Sequence, residues 1–243
     1  MPGRPPLKEI GYCRPADERE RWQGDHLVDM PKHACYIGIV RRNPICMNVS
    51  DELDIGKHRS DEIMARPQEK IYTIEDIYKL PEGTRAELID GQIYYMAPPS
   101  RTHQRIVSKL NQVISNYIDQ KKGLCEVYPA PFAVFLNKDD INYVEPDISV
   151  ICDPSKLDDK GCRGAPDWII EIISPCTQSM DYGTKLFKYH TAGVREYWIV
   201  NPAKKIVSVF DLENEQQSGV YSFDEEIPVT IYPGFAIKLS DVL

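Results

Sequence analysis

Apolar residues fall into a regular period only from Ile71 onward. Thr73 heads the run IEDIYKL, which predicts a short helix N-capped by Thr73 and stopped at Pro81. The stretch ELIDGQIYYM reads as two short strands joined by Asp90-Gly91, the strongest short hairpin signal. Pro98-Pro99-Ser100 opens a long helix to about Gln120, closed by Gly123. Ile106, Leu110, Val113, Ile114 and Tyr117 give it one apolar face. Three strand-like runs follow: PFAVFL (131–136), INYVEPDISVIC (141–152) and DWIIEIIS (167–174). The last two are almost continuously apolar around single acids, the pattern of central strands buried on both faces. A second helix is predicted from about Ser179 to Ala192, closed by Gly193. EYWIV (196–200) makes another strand, and KIVSVFDL, VYSFDE and PVTIY complete the chain as short antiparallel strands.

Residues 1–63 lack such patterning. They hold three of the seven cysteines, three of the five histidines and six of the nineteen prolines, in polar runs such as ADERERWQGDH. We therefore expect an N-terminal extension over 1–63, with Met64 as the true start, and one domain over 64–243.

The 243-residue chain, 42% apolar and 27% charged, has the composition of a globular protein. No run nears the roughly 20 apolar residues that span a bilayer. The first residues, MPGRPPLKEIGYCRP, contain no apolar signal region, so a cytoplasmic location is expected. The seven cysteines are odd in number, scattered and without a CxxC pair, and read as reduced thiols rather than a zinc site or disulfide framework. A net charge of −8 opposes tight binding to phosphate backbones unless a basic groove forms locally or bound cations neutralise some of the acids.

Two acids stand where acids are costly: Asp147 in VEPDISVIC and Glu171 in WIIEIIS. A buried carboxylate needs a cation, a metal or a raised pKa. On neighbouring central strands the two would reach one divalent ion, and hard oxygen ligands suit Mg²⁺ or Mn²⁺. The bland reading is an acid paired to a buried Lys or Arg, or one pointing to solvent. Pro146 cannot donate to a sheet ladder, so it marks a strand start or kink beside Asp147. On the following helix Asp181, Lys185 and Tyr189 are each four apart and share one face. Lys185 there could reach back to the strand acids, unless it forms a simple surface pair with Asp181.

The motifs Glu87-Leu88-Ile89-Asp90-Gly91, Pro98-Pro99-Ser100 with His103, Tyr128-Pro129-Ala130-Pro131-Phe132, Glu145-Pro146-Asp147, Glu171-Ile172-Ile173-Ser174-Pro175, the helix Asp181–Gly193 and Glu196-Tyr197-Trp198 together resemble the Uma family of the restriction-endonuclease-like superfamily. The order and spacing fit from about Tyr72 to Leu243; residues 1–63 match nothing in it. The resemblance implies an α/β fold with a restriction-endonuclease-like mixed central sheet flanked by helices, plus short antiparallel strands at the C-terminus. It also implies the PD-(D/E)xK scheme, in which an aspartate and a glutamate hold a divalent metal and a lysine assists the attacking water. Carried over, Pro146-Asp147 matches the PD element, Glu171 the D/E element, and Glu87 a further acid that completes a metal set of Glu87, Asp147 and Glu171. Ile173 occupies the usual lysine position, which transfers that role to Lys185 on the helix, or failing that to Lys188. Cys176 departs from the small hydroxyl residue more common there, and Asn201-Pro202 from the usual Asp-Pro.

The expectation is a Mg²⁺- or Mn²⁺-dependent endonuclease acting on DNA, with no membrane partner and, by analogy with family members of this size, a homodimer. His103, Arg101 and Arg105 are candidates for contacting DNA or supporting the site, though a packing histidine and a solvated helix face explain them equally well. One alternative is a catalytically degenerate nucleic-acid-binding or protein-interaction module of the same fold; another is a nuclease for branched DNA or RNA. No P-loop, GxGxxG turn, GxSxG elbow or HExxH helix is present.

Overall fold

Helix α1 (Ile74–Tyr78) begins at Thr73, whose backbone N–H donates to Asp76 Oδ2 at 3.0 Å. The computed structural model describes residues 70–243 apart from 175–176 and 215–216. The expected boundary at Met64, the extension before it and the Pro175-Cys176 turn lie outside the described residues.

Strands β1 (Ala86–Ile89) and β2 (Gln92–Tyr95) pair antiparallel through Asp90 and Gly91. Both turn residues have positive φ, 50° and 73°, the backbone hand that matches strand twist in a two-residue hairpin. Helix α2 (Arg101–Lys121) starts at Ser100, whose hydroxyl accepts from His103 N–H at 3.2 Å. Ile106, Val107, Leu110, Ile114 and Ile118 form its buried stripe, while Val113 and Tyr117 pack at its margin. Lys122, not Gly123, takes the left-handed turn at the helix end.

The central sheet has six strands. In chain order they are β3 (Glu126–Pro129), β5 (Ile148–Ile151), β8 (Trp168–Ile172), β9 (Glu196–Asn201), β10 (Ile206–Asp211) and β11 (Gly219–Ser222). Their spatial order is β11-β10-β9-β8-β5-β3, with β8 parallel to β9 and every other neighbour antiparallel. The sheet is mixed, as expected. Two of the C-terminal strands, β10 and β11, extend this sheet. The expected PVTIY strand shrinks to β12 (Ile227–Pro228), paired with an unforeseen β13 (Ala236–Ile237), and the short helix α4 (Leu239–Val242) follows.

Two runs shorten for identifiable reasons. Of 131–136 only β4 (Val134–Phe135) is strand, and it joins a small side sheet with β6 (Leu157–Asp158) and β7 (Gly161–Arg163). Of 141–152 only β5 is continuous strand, because Pro146 interrupts the ladder. Ahead of it, Tyr143 and Val144 make single bridges to Leu88 and Val134.

The alternation of side chains along β8 and β9 sorts the core into two layers. Trp168, Ile170, Ile172, Trp198 and Val200 face α2. Ile169, Ile173, Tyr197 and Ile199 face the other layer with Tyr189. Covering both faces explains why these strands read as apolar throughout.

The expected helix from 179 to 192 is not uniform: Met180–Lys185 is π-helical and α3 (Leu186–Ala192) is α-helical, closed by Gly193 at φ 95°. The cysteine reading is corrected at one pair. Cys125 and Cys152 are disulfide-bonded, and Cys162 is free and buried. The two flank the register pair Glu126↔Ile151 on β3 and β5, so strand pairing joins residues 27 apart that no short-spacing motif connects.

Candidate active site

Because β5 and β8 are antiparallel, the start of one lies beside the end of the other. Asp147, just before β5, therefore meets Glu171, near the end of β8. Asp147 Oδ2 accepts the Ile172 N–H at 2.8 Å, and the Asp147 N–H donates to Glu171 Oε2 at 3.3 Å. The hairpin brings in Glu87 from β1, whose Oε1 accepts the Glu145 N–H at 3.1 Å. The π-helical turn carries Lys185 over this end of the sheet. Its Nζ donates to Glu171 Oε1 at 2.9 Å and to Glu87 Oε2 at 2.9 Å, with Asp181 Oδ1 at 3.8 Å. Tyr189 donates its hydroxyl to Glu171 Oε1 at 2.9 Å. From α2, across the sheet end, His103 Nε2 reaches Asp147 Oδ2 at 3.0 Å, and its Nδ1 is buried without a partner.

The structure thus brings together Asp147, Glu171, Glu87, Lys185 and His103. It also rejects the surface-pair reading of Lys185, which is 6% exposed and lies closer to Glu87 and Glu171 than to Asp181. Lys188 turns instead to Asp90 at the hairpin tip. Ile173, at the usual lysine position, is packed into the core. Arg101 and Arg105 do not touch the acids; they border a separate cavity beside α2.

Three carboxyl groups (Glu87, Glu171, Asp181) share one buried ammonium, while Asp147 pairs with His103. Burial pushes the Glu171 carboxyl up to about 8, with Lys185 opposing and Asp147, Asp181 and Glu87 adding to the shift. Burial also raises Asp181, again opposed by Lys185. Burial disfavours the Lys185 ammonium, but Glu171, Glu87 and Asp181 overcome that and hold it well above its ordinary range. Burial and then the Glu171 charge keep Tyr189 protonated, so its hydroxyl remains a donor.

Among the described residues no three His, Cys, Asp or Glu side chains converge as a ready-made metal site. Lys185 stands between Glu87 and Glu171. The donor chemistry nevertheless fits a divalent cation: the side chains offer hard carboxyl oxygens. The oxygens of Glu87 are both engaged by Lys185. Asp147 Oδ1 and Glu171 Oε2 are less committed.

Several supporting residues escaped the sequence reading. Arg85 clamps Glu145 at 2.7 Å and Tyr143 donates to it at 2.9 Å, fixing the backbone that holds Glu87. Tyr94 lies opposite Glu87 across the hairpin and so stands on the same face, 38% exposed. Its signal was available, since a two-residue Asp-Gly turn sets the register that pairs 87 with 94.

Residues 74–240 match the model of the Uma2 family, described as "Putative restriction endonuclease". An uncharacterized protein of Synechocystis sp. (strain ATCC 27184 / PCC 6803 / Kazusa) is 30% identical over 125 residues, 51% of this chain and 64% of that protein. The match thus spans just under two thirds of that relative's length. The crystal structure of "a putative nuclease belonging to DUF820" from Anabaena variabilis ATCC 29413 aligns with a TM-score of 0.57 at 23% identity, covering 70% of this chain and 96% of that one. At that identity the likeness is one of fold. No helix among the described residues is long and apolar enough to cross a membrane.

Proposed function

This chain belongs to the Uma2 family, and from that premise we propose that it is a divalent-metal-dependent endonuclease that hydrolyses phosphodiester bonds in DNA. The observation that carries the reading is Lys185 itself. A lysine from the helix is delivered, buried, onto Glu171 and Glu87 at 2.9 Å, restoring the cation that Ile173 removes from its usual place.

In this reading Asp147 and Glu171 would hold Mg²⁺ or Mn²⁺, with Glu87 as a further acid beside them. What a bound ion supplies is polarisation of the scissile phosphate and acidification of water. Hydrolysis forms a bond from water oxygen to phosphorus and breaks one P–O ester bond, the departing oxygen taking a proton. Lys185 orients the attacking water and stabilises the charge growing on the phosphoryl oxygens. Glu87, Asp181 and Tyr189 position that lysine and Glu171. His103 fixes the carboxylate plane of Asp147. Cutting both strands takes two such sites, which a homodimer supplies.

A second reading is favoured by one observation. The described acids do not converge as a metal centre, as in a module that kept the fold and the binding surface but lost catalysis. Incubating supercoiled plasmid with Mg²⁺ or Mn²⁺ separates the two. We expect wild-type nicking that falls about 10²-fold or more in Asp147→Asn and Lys185→Met. A well-folded wild type that cuts neither plasmid, branched DNA nor RNA with either ion overturns the nuclease reading and favours the module.

A further inference from the structure

Beside the first two turns of α2 lies a cavity of about 290 Å³ that the hydrolytic site does not use. Its floor is apolar, formed by Ile106, Pro202, Phe223 and Leu243. Its rim carries Arg101, Arg105 and Lys205. None of these three cations makes an ion pair or side-chain hydrogen bond with a described partner, although Asp224 lines the same wall. The walls are held in place. Lys205 sits in the left-handed region at φ 52°, and its carbonyl accepts from Phe223 N–H at 3.0 Å. Phe223 in turn accepts from Ser240 N–H at 2.9 Å.

Three unpaired cations around an apolar floor fit a ligand that is anionic at one end and flat and apolar at the other. A nucleotide has that shape: its base covers an aromatic and aliphatic floor, and its phosphate meets arginine and lysine. Asp224 offers an acceptor for an exocyclic amino group or a sugar hydroxyl. The position is equally specific. Thr102 on the cavity wall is followed directly by His103, which touches Asp147. The cavity and the proposed cleavage centre therefore flank the same helical turn.

We propose that this cavity is a subsite for one nucleotide of the strand being cut, holding its base on the apolar floor and its phosphate on Arg101, Arg105 and Lys205. The proposal rests on the nuclease reading and adds to it how the strand is gripped next to the scissile bond. It predicts that a nucleotide must leave the base stack to be held, so single-stranded or locally opened DNA binds best.

The test measures binding without divalent ions, so that cleavage plays no part. The full-length protein is titrated into a fluorescein-labelled single-stranded DNA, and anisotropy is followed across salt concentrations. Arg105→Gln and Lys205→Gln are each expected to weaken binding about five-fold and to lower the salt slope by about 0.7. Lys204→Gln, one residue away and outside the cavity wall, is expected to leave both unchanged. Thr102→Trp fills the cavity without removing a cation. It is expected to weaken binding of the intact strand while leaving an abasic strand of equal length unaffected. These variants lie at exposed positions, and thermal melts check that each is folded.

Arg105→Gln and Lys205→Gln binding like Lys204→Gln, or Thr102→Trp affecting intact and abasic strands equally, overturns the subsite while the nuclease reading stands on plasmid cleavage. A wild type that binds no DNA and cuts none overturns both. A free deoxynucleoside 5′-monophosphate binding as tightly as the strand overturns the strand assignment and makes the cavity a site for the free nucleotide.

Discussion

Without the Lys185 ammonium, Glu87, Glu171 and Asp181 face one another, each no more than 5% exposed. Lys185→Met is therefore expected to cost about 3–5 kcal/mol, as when one partner is removed from a buried ion pair. The loss should be larger at pH 9 than at pH 6, because at the lower pH protons can replace the missing cation. Urea denaturation at both pH values checks this, and equal losses would show that the acids do not share the lysine. Asp147→Asn tests a different role. Asparagine keeps the side-chain oxygen that accepts the Ile172 N–H, so the fold should hold within about 1 kcal/mol while cleavage is lost. Asp147 and Glu171 were legible in the chain because a charged residue inside an apolar strand run has to be compensated. Their compensation was less so. The fourfold spacing marked Asp181, Lys185 and Tyr189 as one face, but spacing cannot say that this face lands on Glu87, 98 residues earlier.

At the scale of elements, two turns set where the chemistry sits. Gly91 has φ 73°, and a Cβ there would stand 2.5 Å from Ile71 Cγ2. Gly91→Ala is expected to cost about 1 kcal/mol or more and to shift Glu87 away from Lys185. A drop in thermal midpoint together with weaker cleavage bears this out; an unchanged midpoint contradicts it. Ser100 caps α2 through the very N–H that belongs to His103. Ser100→Ala should cost about 1 kcal/mol in a denaturation curve and loosen the His103 contact with Asp147. The hairpin and the long helix were readable because both rest on local chemistry: positive φ at Asp90-Gly91, a hydroxyl cap and a 3.6-residue stripe. The runs at 131–136 and 141–152 promised more strand than formed, since their apolar residues serve loops, bridges and a side sheet whose Phe135 clusters with Leu88 of β1. The π-helical turn was invisible, because Met180–Lys185 carries nothing in composition that separates it from an α-helix.

For the whole molecule, the raised Glu171 carboxyl makes a statement about pH. Its folded value near 8 lies above the ordinary value of 4.5, so the folded state keeps a proton that the unfolded state releases. Its contribution therefore falls as pH rises from about 4.5 to about 8 and levels off above that. In metal-free protein the thermal midpoint should drop by roughly 5 °C or more across this window. Added Mn²⁺ should reverse part of the drop, most strongly at the alkaline end where it displaces no proton; calorimetry at several pH values reads both. A flat profile would mean that the cluster stays ionised throughout. The net charge of −8 argued against nucleic acid only as a sum. Folding collects acids at the end of the sheet and sets Arg101, Arg105 and Lys205 around a separate cavity. What the sequence alone determined was everything governed by nearest neighbours and period: the hairpin, the capped helix, the doubly buried strands and the two acids stranded in them. Tertiary structure decided the partners. The register of β5 against β8, the disulfide across β3 and β5, and the grip of Lys185 on two distant glutamates all depend on segments that meet only after the sheet has assembled.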